Sequence, residues 1–492
     1  MLFNSFHFLV FFILITTIYF ALNHKYRWAL LLISSCYFYM AFVPVYILIL
    51  GFTIVIDYFA GILIERSVGK RRKSILIISL ISNIGVLVVF KYYNFIIENF
   101  SHLLSSIGLN NHLPYLSILL PIGLSFHTFQ AMSYTIEIYR GKQLAERHFG
   151  IYALYVMFYP QLVAGPIERP QNILHQFFEK HDFDYIRVTD GLKLMMWGLF
   201  KKVVIADRLA LFVNQVYDSP TNYQGIPLII ASVFFSFQIY CDFSGYSDLA
   251  IGAAKVMGFN LMKNFNRPYF SKTISEFWKR WHISLSTWFR DYLYIPLGGN
   301  RKAKYRWYYN LFITFLISGL WHGANWTYII WGSLHGSYLI IGLSASIIRN
   351  RIKKIIPITI NQKIQTLFQV GTTFLLVTFA WIFFRANTVS NALYIITHLH
   401  NNCLQQFQKI LMNKNQERQE LLYLGQSSSV FYIAIFSLIL LVSIHLKQRK
   451  SSIRKLISEK PIFVRWGIYL FAILSILLFG VYDNVNFIYF QF

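Results

Sequence analysis

Ionisable and aromatic residues concentrate in one stretch, residues 275–336, of an otherwise apolar sequence. Within sixteen positions this stretch places Glu276, Lys279, Arg280, His282, Arg290 and Asp291, interleaved with Trp278, Trp281 and Trp288. A second histidine, His322, follows between two apolar runs. Polar groups inside apolar, membrane-type sequence are expensive and tend to mark functional sites. We therefore expect the chemistry of this chain to lie in residues 275–336.

His322 has the surroundings of a buried general base. Gly319 and Gly323 bracket Trp321 and His322, and they permit a tight turn or close approach of a substrate to the backbone. A hairpin of the two apolar runs would place His322 away from the flanking basic residues, at the base of an external funnel. A neutral imidazole there suits proton abstraction from a hydroxyl. A hydrogen-bonded packing histidine is the alternative, and spacing alone leaves both open.

His282 lies among cationic and indole side chains. If residues 274–293 form one helix, His282 shares a face with Trp278 and Ser286. Lys279 and Arg280 flank it, so the segment suits a phosphate-bearing donor such as a coenzyme. An interfacial helix with snorkelling basic residues explains the same composition.

Two acidic residues interrupt the apolar helix expected near 232–250. Asp242 and Asp248, with Gln238 and Ser244, could line a polar channel, or the acids could pair with Lys and Arg near 263–280. The residues alone do not separate these readings.

Composition predicts an all-α polytopic membrane protein. The 492 residues are 56% hydrophobic and only 13% charged, about half the charged fraction of soluble domains. The net charge of +25 comes from short basic clusters between apolar runs, which is a positive-inside pattern and an attraction to membrane lipids rather than to nucleic acid. Three cysteines form no disulfide framework, and no histidine has metal-ligand spacing, so we expect no metal.

About 11 or 12 apolar segments are long enough to cross a bilayer, which takes about 20 residues each. We place them at roughly 2–22, 28–43, 45–64, 74–91, 114–138, 192–213, 226–258, 307–320, 323–346, 364–385, 429–446 and 464–482. Basic loops at 66–73, 140–147, 301–306, 349–354 and 447–460 are assigned to the cytoplasm.

Three further segments have distinct patterns. Residues 149–170 are apolar but broken by proline and glycine, which predicts a re-entrant segment. Residues 171–193 are mixed charged and apolar, as in an amphipathic helix on the cytoplasmic face. Residues 401–428 form a polar stretch, predicted to be an external helical loop.

Together these motifs resemble the membrane-bound O-acyltransferase (MBOAT) superfamily, in its bacterial alginate O-acetyltransferase and D-alanyl-transfer branch. The matching stretches are FYPQLVAGPIERP at 158–170, QIYCDFSGYSDLAIG at 238–252, NFNRPYFSKTISEFWKRWHISLSTWFRDYLYIPLGGNR at 264–301, SGLWHGANWTYIIWG at 318–332, FAWIFFRA at 379–386 and FIYFQF at 487–492. The resemblance runs in order along nearly the whole chain.

The resemblance implies a single transmembrane domain over 1–492, a ring of helices with a thin centre. Its parts would be N-terminal helices (1–138), a core with both histidines (139–346) and C-terminal helices with the polar loop (347–492). The family's invariant histidine matches His322, and its other characteristic histidine matches His282. Residues implied at the donor side or tunnel are Asn266, Trp278, Lys279, Arg280, Trp288, Arg290, Asp291 and Trp321.

The implied reaction moves an acetyl group from a cytoplasmic thioester, acetyl-CoA, to an extracellular polysaccharide, directly or through a partner acetylase, with no bound cofactor. The resemblance places the chain in the bacterial inner membrane as a multi-pass protein. It leaves open whether His322 acts as a general base or forms an acyl-histidine. D-alanyl transfer from a carrier protein to teichoic acid is the alternative within the branch. A transporter or a scaffold of a polysaccharide-export complex are the alternatives from other classes.

Overall fold

Helices make up all the regular structure that the computed structural model describes. It describes residues 1–109, 111, 113–116, 121, 123–163, 165–355, 361–412, 415–449, 453–482, 487 and 488, with only the backbone of 346–355. The described chain divides into two compact units. The first comprises residues 1–195 and 246–263, and the second comprises residues 196–245 and 264–492.

The first unit contains the N-terminal helices. They are α1 (Phe6–Ala21), α2 (His24–Met40), α3 (Ile47–Arg66), α4 (Gly69–Leu87), α5 (Tyr93–Ser106), α6 (Leu124–Tyr139), α7 (Phe149–Met157), α8 (Tyr159–Leu162), α9 (Pro170–Ile173) and the first part of α10 (Tyr185–Leu199). A π-helical turn at Val88–Tyr92 joins α4 to α5.

The second unit contains the central and C-terminal helices. They are α11 (Asp207–Tyr217), α12 (Ile226–Met257, whose last turns belong to the first unit), α13 (Ile274–Trp278), α14 (Ile283–Phe289), α15 (Lys304–His322), α16 (Trp326–Ile355), α17 (Gln362–Arg385), α18 (Val389–His398), α19 (Cys403–Leu411), α20 (Asn415–Leu421), α21 (Ser428–Lys447), α22 (Ile453–Ser458) and α23 (Ile462–Phe479). Two further π-helical segments are Phe200–Ala206 and Arg290–Tyr294.

The all-α membrane architecture predicted from composition is confirmed. Six described helical segments are long and apolar enough to cross a bilayer: Pro44–Arg66, Gly69–Ser106, Ile226–Met257, Gln362–Arg385, Ser428–Lys447 and Ile462–Phe479. Each overlaps one of the predicted spans, and Gly69–Ser106 extends well beyond the span predicted at 74–91. Other predicted spans fall on shorter or more polar helices, such as α1 and α15, and residues 117–120 and 122 of the span predicted at 114–138 lie outside the described residues, so the full number of crossings stays a prediction.

One local prediction changes and another is confirmed. The amphipathic helix expected over 171–193 is wrong as one element, because residues 178–184 are not helical and a regular helix begins only at Tyr185. Arg27 holds this interruption in place by donating to the carbonyl oxygen of His181 at 2.6 Å, and Asp184 accepts from the backbone N–H of Arg187 at 2.5 Å. The break predicted in 149–170 is present between α7, α8 and α9.

The helical character of 401–428 is confirmed by α19 and α20. Of the C-terminal FIYFQF motif, Phe487 and Ile488 are described, and residues 489–492 lie outside the described residues, as do 356–360.

A buried carboxyl group in the first unit was not anticipated. Asp57 on α3 accepts from the hydroxyl of Ser79 at 2.6 Å and from the side-chain amide of Asn83 at 2.8 Å, and Ser79 also contacts Thr135 on α6. All four side chains are fully buried. These hydrogen bonds compensate the cost of placing a carboxyl group in the interior, and they link α3, α4 and α6.

Candidate active site

A tightly packed helical hairpin positions His322. Helix α15 ends at His322, residues 323–325 turn, and α16 begins at Trp326, as the glycine-bracketed sequence predicted. A methyl group on Gly319 would overlap the carbonyl oxygen of Tyr328 and lie 3.0 Å from the Cα of Gly332. Because neither glycine has a side chain, the two backbones approach closely and bring the side chains of α16 beside His322.

Three aromatic rings surround the imidazole of His322. Its ring centroid lies 4.8 Å from Trp321, 5.0 Å from Trp331 and 5.3 Å from Phe384, each at a steep angle. His322 is only 4% exposed. These rings hold the imidazole in a fixed position, and the neutral form of an imidazole can accept a proton.

His282 lies at a break between two short helices. Its φ of 43° is left-handed, so α13 and α14 are separate elements and residues 274–293 do not form the single helix considered above. The cause is Asn264, whose side-chain oxygen accepts from the backbone N–H of Ser284 at 3.2 Å and from its hydroxyl at 3.0 Å. The predicted common face of His282, Trp278 and Ser286 is therefore absent.

Asn264 also fixes the protonation pattern of His282. Nδ1 of His282 lies 3.1 Å from the same side-chain oxygen, and an amide oxygen only accepts, so Nδ1 carries the hydrogen. The Nε2 atom then presents a lone pair. Burial lowers the pKa of His282 to about 3, which keeps the ring neutral.

One indole connects the two predicted histidines. The Trp321 ring centroid lies 4.8 Å from His322 and 6.4 Å from His282. The structure thus joins in one cluster two residues that the sequence analysis assigns to separate donor and acceptor sites. The side of the membrane from which each is reached stays a prediction.

A third histidine, His335, belongs to the same cluster and was missed. It is fully buried on α16, 5.0 Å from Trp331 between ring centroids. The Nε1–H of Trp278 donates to its Nδ1 at 3.2 Å. The signal available in the sequence was its position four residues after Trp331 in an apolar helix, which places both side chains on one face.

The predicted donor residues divide into buried indoles and surface charges. Trp278, Trp288 and Trp321 are buried, whereas Asn266, Lys279 and Arg290 are exposed. The charges pair locally: Arg280 contacts Glu276 at 2.6 Å, and Arg290 contacts Asp291 at 2.7 Å. The asparagine that contacts His282 is Asn264, which was not among the predicted site residues.

Comparison with known proteins decides the family. Residues 146–386 match the model of MBOAT, the membrane-bound O-acyltransferase family. The chain is 39% identical over 383 residues to the probable alginate O-acetylase AlgI of Pseudomonas aeruginosa, covering 76% of this chain and 70% of the relative. The chain belongs to the membrane-bound O-acyltransferase family. It is an O-acyltransferase, so the histidine cluster lies in a protein that esterifies hydroxyl groups.

Two other relatives show the breadth of this similarity. The peptidoglycan O-acetyltransferase of Helicobacter pylori is 37% identical over 393 residues, covering 74% of this chain and 72% of the relative. The teichoic acid D-alanyltransferase of Streptococcus thermophilus is 32% identical over 238 residues, covering 46% of this chain and 57% of the relative.

The residues predicted to line a channel in this acyltransferase differ from one another in their contacts. Asp242 forms a buried ion pair with Lys202 at 2.7 Å, and Lys202 contacts Asp207 at 2.7 Å as well. Ser244 accepts from Lys201 at 2.9 Å. Gln238 is buried on the same helix.

Asp248 belongs to the first unit, whereas Gln238, Asp242 and Ser244 belong to the second. The described side chains contain no group of three His, Cys, Asp or Glu residues that could hold a metal ion.

We expect Asn264→Leu to lower acyl transfer by about 10-fold to 100-fold, while Asn264→Asp retains most activity. Leucine removes the acceptor that fixes the His282 tautomer and the left-handed turn, and a comparable outer hydrogen bond to a histidine is worth such a factor. Rates per folded molecule, with unfolding midpoints measured in parallel, would check this. Equal rates for the leucine variant and the unmodified protein would show that the His282 tautomer is not used in transfer.

Proposed function

We propose that the protein transfers an acetyl group from acetyl-CoA to a hydroxyl group of an extracytoplasmic polysaccharide, directly or through a partner acetylase. The observation that carries the proposal is His322, a buried imidazole in a cluster of rings that also contains His282. The similarity to alginate and peptidoglycan O-acetylases over about three quarters of the chain supports an acetyl group and a glycan acceptor. We place the protein in a bacterial inner membrane.

His322 acts as the general base in this proposal. The acceptor hydroxyl oxygen attacks the thioester carbonyl carbon as His322 takes the hydroxyl proton, and the carbon–sulfur bond then breaks. The thiolate leaves with the proton that His322 returns. General-base catalysis of this kind contributes about 10²-fold to 10⁴-fold.

His282 and the indoles form the donor side. Trp278 and Trp321 give the tunnel apolar walls, and His282 offers the Nε2 lone pair to the amide groups of a pantetheine arm. The exposed Lys279 and Arg290 suit the donor's phosphates at its entrance. Gln238 and Ser244 remain proposed lining residues of the route that the acceptor or donor follows.

Purified protein reconstituted into sealed lipid vesicles tests the proposal, because sealed vesicles also report passage of substrate across the membrane. We expect label from [¹⁴C]acetyl-CoA to appear on an added oligosaccharide, or on a partner acetylase where one is supplied, with release of one free thiol for each acetyl group transferred. The matched arm replaces acetyl-CoA with a D-alanyl-loaded carrier protein, since a D-alanyltransferase is among the relatives.

The acetyl-CoA and carrier-protein experiments distinguish acetyl transfer, D-alanyl transfer and transport. Thiol release and ester formation with acetyl-CoA support the proposal. Transfer from the carrier protein alone would assign the chain to D-alanylation. Passage of substrate across the membrane without thiol release would contradict acyl transfer and favour a transporter.

A further inference from the structure

Nε1–H of Trp331 and Nε2 of His335 are buried in the histidine cluster without a hydrogen-bond partner among the described residues, and both side chains are fully buried. A buried N–H group without a partner costs about 1–3 kcal/mol, so such groups in a native protein call for an explanation. Two of them on neighbouring rings, 5.0 Å apart, point to an acceptor that arrives with a ligand.

The tautomer of His335 makes its Nε2 a donor. The Nε1–H of Trp278 can only donate a hydrogen bond. The atom that accepts it, Nδ1 of His335, must therefore carry a lone pair. The hydrogen of the neutral ring is therefore on Nε2. Trp278 thus fixes this histidine in the orientation and protonation pattern of a hydrogen-bond donor.

His282 has the opposite tautomer and cannot fill this role. Its ring hydrogen is donated from Nδ1 to Asn264, and its Nε2 presents a lone pair. A lone pair repels a carbonyl oxygen that is gaining negative charge. Stabilisation of the thioester carbonyl therefore requires a donor other than His282.

Trp331 lies between the proposed base, His322, and the second donor, His335. Its ring centroid lies 5.0 Å from that of His322 and 5.0 Å from that of His335. The contact between Gly319 and Gly332 fixes α16 against α15 one residue away from Trp331. Base and donors are thus held on one rigid hairpin, as a preorganised site requires.

We propose that Trp331 Nε1–H and His335 Nε2–H form the donor pair that receives the carbonyl oxygen of the acyl thioester. This rests on acyl transfer at His322. As the hydroxyl oxygen bonds to the carbonyl carbon, the carbonyl electron pair moves onto its oxygen, where both N–H groups donate to it. When the carbon–sulfur bond breaks, the pair returns to re-form the carbonyl, and the thiolate takes the proton held by His322. Trp278 is a positioning residue in this step.

Conservative substitutions test the donor pair. Trp331→Phe keeps an aromatic ring and removes the N–H, and His335→Leu removes the second donor, whereas His335→Gln retains a side-chain N–H. We expect kcat to fall about 10²-fold to 10³-fold in the first two, with little change in KM for the thioester, because an oxyanion donor acts in the transition state. His335→Gln should recover at least about 10-fold of the loss.

Trp381→Phe is the matched control. Trp381 is a buried tryptophan stacked on Trp331 at 5.6 Å, and it has no part in the proposed donor pair. We expect its kcat to stay within about threefold of the unmodified protein. Unfolding midpoints of all variants identify losses that come from instability.

A second measurement does not depend on turnover. A donor analogue in which CH₂ replaces the thioester sulfur, labelled with ¹³C at its carbonyl, should show a carbonyl infrared band at lower frequency when bound. That shift should shrink in Trp331→Phe and His335→Leu. Unchanged kcat and an unchanged band in both variants would overturn the donor pair while leaving acyl transfer by the unmodified protein intact. Absence of acyl transfer in the unmodified protein would overturn both proposals.

Discussion

Replacing His322 by glutamine should reduce acyl transfer by about 10³-fold, with no comparable loss of folded protein. Glutamine approximates the size and hydrogen bonding of the imidazole, but it cannot accept a proton from the acceptor hydroxyl. The surrounding rings of Trp321, Trp331 and Phe384 give no second base at the same position. Ester formation per folded molecule, measured from labelled acetyl-CoA, gives the result directly.

His127→Gln is the control for this experiment. His127 is equally buried on α6 of the first unit and has no part in the proposed reaction, so its variant measures the cost of replacing a buried histidine as such. Retained transfer in His322→Gln, at a rate close to that of His127→Gln, would contradict the assignment of the base.

The same variants distinguish a general base from an acyl-histidine. Rapid quenching with labelled donor and no acceptor should leave no label on the protein if His322 only removes a proton. Label that is released by hydroxylamine and absent from His322→Gln would instead identify a covalent acyl-imidazole, and the proposed mechanism would then be replaced by a two-step relay.

Local sequence patterns predicted the parts of the site that depend on neighbouring residues. The apolar runs around Gly319 and Gly323 determine a helical hairpin, and the hairpin alone places His322 at the end of α15. The buried indoles Trp278 and Trp321 were also predictable, because large aromatic residues in an apolar segment pack inward.

Contacts between distant segments account for the parts that could not be predicted. Asn264 interrupts the helix at His282 from 18 residues away, and no periodicity within residues 274–293 reports that hydrogen bond. Trp278 fixes the tautomer of His335 from 57 residues away. Both interactions join side chains from segments that are distant in sequence, so they depend on how those segments pack.

The environment of Lys201 and Lys202 is also determined by contacts with distant segments. In sequence these residues resemble a basic cluster at a membrane surface, yet both side chains are almost fully buried. Their carboxyl and hydroxyl partners lie on α11 and α12. The π-helical segment Phe200–Ala206 carries both lysines, and segments of this kind often occur at functional or strained positions.

Lys202→Met should lower the free energy of unfolding by about 3–5 kcal/mol. The ammonium group lies 2.7 Å from both Asp207 and Asp242, and all three side chains are at most 4% exposed. Methionine fills similar volume but leaves two carboxyl groups facing each other in a low-dielectric interior. Asp242 also accepts the backbone N–H of Ile488 at 2.7 Å, so the strain reaches the C-terminal segment. Unfolding by SDS titration in mixed micelles measures the change.

Lys201→Met is the control that distinguishes the loss of the buried ion pair from the loss of a buried lysine side chain. Lys201 is as buried as Lys202, but it donates to the neutral hydroxyl of Ser244 at 2.9 Å, so the loss of this hydrogen bond leaves a neutral group behind. We expect a loss of about 1–2 kcal/mol. Adding Asp207→Asn and Asp242→Asn to Lys202→Met should recover most of the stability, because neutral amides remove the uncompensated charge. Equal losses in the two lysine variants, without recovery by the amides, would mean that the lysines matter through packing and that the ion pair is energetically neutral.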